Sequence, residues 1–510
     1  MRKLFERFGM FTIFLALAVS ISGCEGSAFL PDPKDSSGVA SSADTPLKKV
    51  PLKILVPGDE PRQQKEVLQE IDKVTENELN INLQAVYIPW GEYINQINLK
   101  SAGGELFDIY LSFFNELPGN IARKQCLPLK ELLDRYGPDL KKQIPKALWD
   151  SITINGELYG IPAVYAMTEM GRGFLVRKDL REKYNLPEIT DAASYKVFLD
   201  TIARNEKDII PMLGESLSFI FPDKSMVGHS LYLLGFDQFP YMYIDIDKKP
   251  FKVVNFLKTD LFRELWKENI KAYQKGWMEK DILMDTDREG KFLTGKAASM
   301  GGDLYNITDR QNALQKNVPA GEIELAIINR EGRWINMYPG NNFGMISSTS
   351  ENPERAVMFM NWLRKSRDNY DLYMLGIEGK TYNLAGGMAE VPQGTDPKDR
   401  YNPTPWFTMH MPYSRNWTTD PPAYTEALEF WNSLKPENSE LMGFTYSSDK
   451  VKAEKAAVEK VCLEQGRPLQ TGLLSSEEDY EKLLDDLDKA GLPAIIEDTQ
   501  KQLDAYMAKR

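Results

Sequence analysis

Between residues 53 and 111 the chain alternates two hydrophobic periods, and this restricts its fold more than any other feature. Lys53-Ile54-Leu55-Val56 is a short apolar strand that stops at Pro57-Gly58-Asp59. Val67, Leu68, Ile71 and Val74 follow at helical spacing. Ile81, Leu83, Ala85 and Tyr87 return to a period of two, residues 91–101 read as a second helix, and residues 107–111 as a third strand. Strand, helix, strand, helix, strand with short links predicts an α/β unit whose parallel sheet is covered on both faces. In such sheets ligands settle where loops leave the carboxyl ends of strands. Two loops are therefore candidates for binding: Pro89-Trp90-Gly91-Glu92, and Ser112-Phe113-Phe114-Asn115-Glu116.

The start of the chain speaks to location. Arg2, Lys3 and Arg7 precede an apolar stretch over about 8–21 that ends in Ile21-Ser22-Gly23-Cys24. The stretch is shorter than the roughly 20 apolar residues a membrane span needs, and its flanks are those of a secretory signal. Small residues just before a cysteine, after such a segment, have the form of a bacterial lipoprotein signal. Residues 1–23 are thus expected to be removed and Cys24 to carry lipid. The bland alternative is an ordinary signal peptide with Cys24 incidental. Residues 24–49, rich in Ser, Ala, Asp, Gly and Pro, read as a flexible tether that holds the folded part about 25–30 Å from the lipid.

The roughly 460 residues beyond the tether exceed one ordinary core and suit two lobes. The formal charge is −12, and loss of residues 1–23 removes three basic residues and one acidic, leaving the mature chain near −14. A balance this acidic argues against nucleic acid or an anionic membrane as partner. Two histidines, His229 and His410, and no CxxC or HExxH spacing argue against a metal cluster, and no cofactor motif is present. Cys126 and Cys462 sit in apolar contexts and read as two buried thiols, with a disulfide outside the cell as the alternative. Nine Trp and 23 Tyr exceed what a core requires; flat aromatic faces of this kind suit sugar rings.

Further along, Leu158-Tyr159-Gly160-Ile161-Pro162-Ala163-Val164 leads into a polar break, Thr168-Glu169-Met170-Gly171-Arg172-Gly173, and then a new apolar run, which reads as a chain crossing between lobes. Helices are expected near 191–205, 225–234, 259–275 and 287–296. Asn352-Pro353 reads as the cap and start of a helix with Ala356, Phe359, Met360 and Leu363 inward. Two helices end the chain, divided at Gly491 and Pro493. No segment after the signal is long and apolar enough to span a membrane.

At this level the chain resembles the solute-binding lipoproteins of bacterial ABC importers, in the extracellular family 1 group, and within it the Gram-positive, sugar-associated branch with a C-terminal DUF3502 region. The resemblance is carried by Trp90-Gly91-Glu92-Tyr93 running to Ser101-Ala102-Gly103-Gly104-Glu105-Leu106-Phe107-Asp108-Ile109, and by Asn155-Gly156-Glu157-Leu158-Tyr159-Gly160-Ile161-Pro162. It continues through Asn341-Asn342-Phe343-Gly344, Gly376-Ile377-Glu378-Gly379-Lys380-Thr381-Tyr382 and Gly443-Phe444-Thr445. It implies a two-lobe, periplasmic-binding-protein-like type II α/β fold with hinge crossings. Lobe 1 is expected over 50–162 and 340–390, and lobe 2 over 163–339 and 391–510. It further implies a monomer that is not an enzyme, that captures a solute, foremost an oligosaccharide, and that passes it to ABC permease subunits.

The residues expected to touch ligand follow from both readings. Trp90 is a stacking platform or a core residue. Asn115 offers polar contacts beside Phe113 and Phe114. Glu169 and Arg172, in the crossing, either bind hydroxyls or pair with each other. Asp303, after Gly301-Gly302, is a contact from the second lobe. Trp406 keeps the family's pattern, but Met409-His410-Met411 stands where the pattern has Gly-Asn-Gln, which puts the usual polar contacts there in doubt. His410 reads equally as a ligand contact or a structural histidine. Glu378 reads as a turn residue. A surface glycosidase using two carboxylates, or a receptor for peptides or another solute, remains open on the sequence.

Overall fold

The computed structural model describes residues 47–509, apart from 155, 166–171, 215–230, 237–238, 285–286, 329, 332–333, 337–341, 396–399 and 405. The signal, Cys24 and most of the tether lie outside the described residues. Leu47–Arg510 forms one compact unit, and among the described residues no helix is long and apolar enough to cross a membrane.

The expected β-α-β-α-β run is present. Val50–Pro57, Ile81–Ile88 and Ile109–Phe113 are strands, and Gln64–Val74 and Tyr93–Ala102 are helices. Val50–Pro57 lies between the other two and pairs parallel to both. Asn342–Ile346 then pairs antiparallel with Ile109–Phe113 on one side and with Ile161–Pro162 on the other, so the sheet is mixed rather than purely parallel. Leu52, Ile54, Leu55 and Val56 have almost no exposed surface because helices cover both faces. On one of them Pro353–Lys365 buries Ala356, Phe359, Met360 and Leu363, the four positions its periodicity predicts. Asn352 does not cap this helix; its amide reaches the Pro51 carbonyl instead, and Pro353 alone starts the turn.

The second lobe is built on an antiparallel sheet, in the order Ser299–Asp303, Arg172–Arg177, Ile323–Ala326. Its central strand feeds two cores by simple alternation. Phe174 and Val176 face the Ala192–Asn205 helix, packing with Tyr195, Phe198 and Ile202. Leu175 faces the other way, toward Leu304, Ile307, Ala427 and Trp431. A further core joins the Phe239–Asp245 strand and the Asp260–Gln274 helix to the terminal helices Glu477–Ala490 and Leu492–Met507. Gly491, at φ +103°, turns one terminal helix into the next, a conformation that favours glycine.

Two expectations need correction. The helix expected over 225–234 is instead a strand, Leu231–Phe236, where it is described, paired antiparallel with Phe239–Asp245. A short apolar run fits either period, and here the neighbouring strand decides. The 391–510 stretch does not lie wholly in the second lobe: Tyr401 and Phe407 are buried in the first-lobe core, and Trp417 packs with Leu375, Tyr382 and Ala389. The chain passes between first-lobe and second-lobe cores after Val164, before Asn342, and between Trp417 and Ala427. The first two passages run beside each other and beside 409–411. Ala163 N–H donates to Asn342 O (3.0 Å), Val164 N–H to Met409 O (2.8 Å), and Met411 N–H to Val164 O (2.8 Å).

Candidate functional site

Where these passages meet, a cavity of about 360 Å³ is lined from both lobes. Its first-lobe wall grows from the carboxyl ends of the central strands. Gly58, just past Val50–Pro57, has φ +108°, and a Cβ there would sit 3.1 Å from Thr404 Oγ1 and 3.7 Å from Trp90 Nε1. Glycine thus allows both residues to close over the strand end. Trp90 follows Ile81–Ile88 and stands edge-to-face with Trp406, ring centroids 5.9 Å apart. Trp90 is 47% exposed, unlike a core tryptophan, so its ring is available to a ligand.

Tyr165 ties the wall to the crossing. Its hydroxyl donates to Trp406 O (2.5 Å) and accepts from Asn342 Nδ2 (3.1 Å), while its ring meets that of Tyr305 at 5.4 Å. Tyr305 and Asn306 are held in place by Asp303, whose Oδ1 accepts from Tyr305 N–H and Asn306 Nδ2, both at 3.0 Å. A short carboxylate accepting the backbone N–H two residues on fixes such a turn. Asp303 therefore supports cavity-lining residues and is not itself among them. Its register partner across the sheet is Arg172.

The other expected residues are placed as follows. Trp90 and Trp406 share the cavity. Phe113 packs on the first-lobe core beside the sheet. Asn115 lies in the one-turn helix Phe114–Glu116. Glu169 is outside the described residues. His410 is fully buried, behind a wall to which its neighbours Met409 and Met411 contribute. Its backbone N–H donates to Tyr370 Oη (2.8 Å), and among the described residues neither ring nitrogen has a hydrogen-bond partner. Burial, reinforced by the nearby Arg364 guanidinium, pushes the imidazole down to about 3. Burial thus disfavours the charged form of this ring.

The polar part of the cavity comes from residues that sequence reasoning did not single out. Arg415 Nε donates to Asp371 Oδ2 (2.6 Å) and Arg415 Nη1 to Gly387 O (3.0 Å). Asp371 is 2% exposed, and among the described residues its Oδ1 has no hydrogen-bond partner. Arg400 pairs with Asp309 (3.0 Å), its guanidinium 4.9 Å from the Trp417 ring. Asp420 accepts from the Thr308 hydroxyl (2.5 Å) and from Trp417 N–H (2.7 Å). Burial raises the carboxyls of Asp371 and Asp420. The pairs Arg415–Asp371, Arg400–Asp309 and Thr308–Asp420 are 44, 91 and 112 residues apart in sequence, so no local motif announces them. Among the described residues no three His, Cys, Asp or Glu side chains gather to hold a metal. Cys126 and Cys462 are separate, free and buried, and burial pushes each thiol up to about 12.

An aromatic and hydrogen-bonding cavity lined from both lobes is the form of a solute receptor, and comparison with known proteins agrees. The family profile described as bacterial extracellular solute-binding protein matches residues 69–380. That of the DUF3502 domain of unknown function matches residues 440–508. The chain is 24% identical over 511 residues, 97% of each partner, to a carbohydrate ABC transporter substrate-binding protein of Streptococcus pneumoniae serotype 4. Its fold is similar to that of the N-glycan transport solute binding protein NgtS of Streptococcus pneumoniae. The TM-score is 0.74 at 20% identity, covering 90% of this chain and 99% of that one. It is also similar to NgtS in complex with Man5GlcNAc (TM-score 0.65, 21% identity, 91% and 99% covered) and to the alginate-binding protein AlgQ2 (TM-score 0.61, 18% identity, 89% and 98% covered). The architecture is thus the two-lobe type II α/β fold, and the chain belongs to the bacterial extracellular solute-binding proteins.

Proposed function

We propose that this protein is a monomeric, lipid-anchored receptor that captures an oligosaccharide between its lobes and hands it to the permease subunits of an ABC importer. The observation that carries the reading is the cavity itself. Trp90 and Trp406 present aromatic surface beside a cluster of carboxylates and guanidiniums, which is the pairing of apolar face and polar edge that a sugar ring needs. Ligand contacts to both lobes bias the equilibrium toward closure. Lobe 1 comprises 50–162 and 340 to about 417, and lobe 2 the segments 163–339 and from about 418 onward. Within the crossing, Glu169 and Arg172 contact ligand hydroxyls, and Asn115 adds a polar contact after the third strand of the first sheet. Lipid on Cys24 and the tether over 24–49 keep the receptor near its permease, where local concentration substitutes for affinity.

The test is a thermal-shift panel of oligosaccharides and peptides with product analysis. A shift with sugars and no product is expected. Turnover of the sugar would mark a glycosidase, and a shift with peptides alone would mark another kind of receptor. Cys24→Ser is expected to move the protein from the membrane fraction to the medium; retention at the membrane would refute the anchor.

A further inference from the structure

We propose that the cavity selects uncharged oligosaccharides over acidic ones, with Asp371 and Asp420 as the residues that determine this. The inference rests on the oligosaccharide reading above and adds the sign of charge the site tolerates.

Among the described residues, the cavity wall carries three carboxylates, of Asp309, Asp371 and Asp420, against the two guanidiniums of Arg400 and Arg415. Both guanidiniums are engaged: Arg415 by Asp371 and the Gly387 carbonyl, Arg400 by Asp309 and the face of Trp417. A ligand carboxylate seeking either would have to displace an existing partner. Asp420 is held by a hydroxyl and a backbone N–H and shares the Arg400 charge with Asp309, so the wall keeps a net negative charge. In a partly desolvated cleft that charge repels a second anion more strongly than it would in water.

Asp371 adds a requirement of a different kind. Its Oδ1 is a buried acceptor with no donor among the described residues. A sugar hydroxyl can supply the missing O–H, because it both donates and accepts. A ligand carboxylate only accepts, and would meet Oδ1 oxygen to oxygen. A buried group left unsatisfied penalises the ligand that fails to satisfy it. Charge balance and hydrogen-bond polarity therefore point the same way.

The test uses the mature chain from residue 24 carrying Cys24→Ser, titrated calorimetrically with maltopentaose, cellopentaose, mannopentaose and galactopentaose. Each is run beside its own product of oxidation at the C6 hydroxyls, so that paired ligands differ only in carboxylate content. The expected result is that at least one parent sugar binds and its oxidised form binds about tenfold more weakly or worse. An oxidised form that binds as tightly as its parent, or binds where the parent does not, overturns the inference and leaves the receptor reading standing. No binding by any member of any pair overturns the oligosaccharide reading, and the inference with it. Asp420→Asn is expected to narrow the gap between the paired ligands; an unchanged gap removes Asp420 from the assignment. Should that variant not fold, the wild-type chain still decides. Added NaCl must strengthen the oxidised ligand's binding by screening while leaving the parent's unchanged, and the opposite slope overturns the proposal.

Discussion

His410 offers a direct measurement of how the wall behind the cavity is built. Its imidazole is fully buried, neither ring nitrogen has a hydrogen-bond partner among the described residues, and Arg364 stands nearby with its own charge. All of this disfavours the protonated ring, which takes the value from 6.5 to about 3. Between those values the unfolded chain binds a proton that the folded chain refuses, so stability rises with pH across this window. The contribution is fully present above pH 6.5 and is lost as pH falls toward 3. At pH 5 it amounts to a loss of about 2 kcal/mol relative to pH 8, and below pH 3 the loss approaches about 5 kcal/mol. His410→Gln removes the titrating group, so the variant's urea midpoint should fall less than the wild type's between pH 8 and pH 5, by an amount equivalent to about 2 kcal/mol. The chain has only two histidines, so their ring resonances can be assigned with one His229→Gln control. If the His410 resonance titrates near 6.5, or the variant keeps the wild-type pH dependence, the ring is solvated or paired and the account fails.

Three other outcomes follow from the packing. Trp90→Ala should cost little stability, under about 1 kcal/mol, because the ring is half exposed, yet weaken sugar binding about tenfold or more; calorimetry and thermal unfolding on one preparation separate the two effects. Arg364 is fully buried with Nε and Nη1 unpartnered among the described residues, so Arg364→Met should be neutral or stabilising by about 1–4 kcal/mol, and a loss of more than about 1 kcal/mol in urea unfolding would contradict this. Cys126 and Cys462, buried and raised to about 12, should resist a thiol reagent at pH 8 in the native protein and react together with unfolding; fast native labelling of either would contradict its placement.

Local periodicity made much of the first lobe legible. Ala356, Phe359, Met360 and Leu363 fall inward as their spacing demands, and Gly491 ends a helix with the left-handed backbone expected of it. The sense of the strands was less accessible. Asn342–Ile346 joins its sheet antiparallel across more than two hundred residues, and Leu231–Phe236 takes its identity from a neighbouring strand, neither of which a local window can contain. The site divides along the same line. Trp90 and Trp406 could be picked out because a strand end and a family pattern mark them. Asp371, Arg415, Arg400 and Asp420 could not, because each acquires its meaning from a partner far along the chain. Asp303 fixes a turn beside the cavity, and His410 is buried behind its wall, where one of the two readings the sequence left open for it was a structural histidine.

The core shared by residues 239–266 and the last helices carries a consequence for biogenesis. Gln500 accepts from the Val253 N–H across 247 residues, and Tyr480 donates to the Leu257 carbonyl across 223. Loops of that length close slowly, since their entropy is lost before the contact is made. A chain still being synthesised therefore holds Phe256, Phe262 and Trp266 without their cover until nearly its final residues are made. Truncation anywhere before the 440–508 region leaves that apolar surface bare for good, and sticky, protease-sensitive fragments are the expected product of every premature stop.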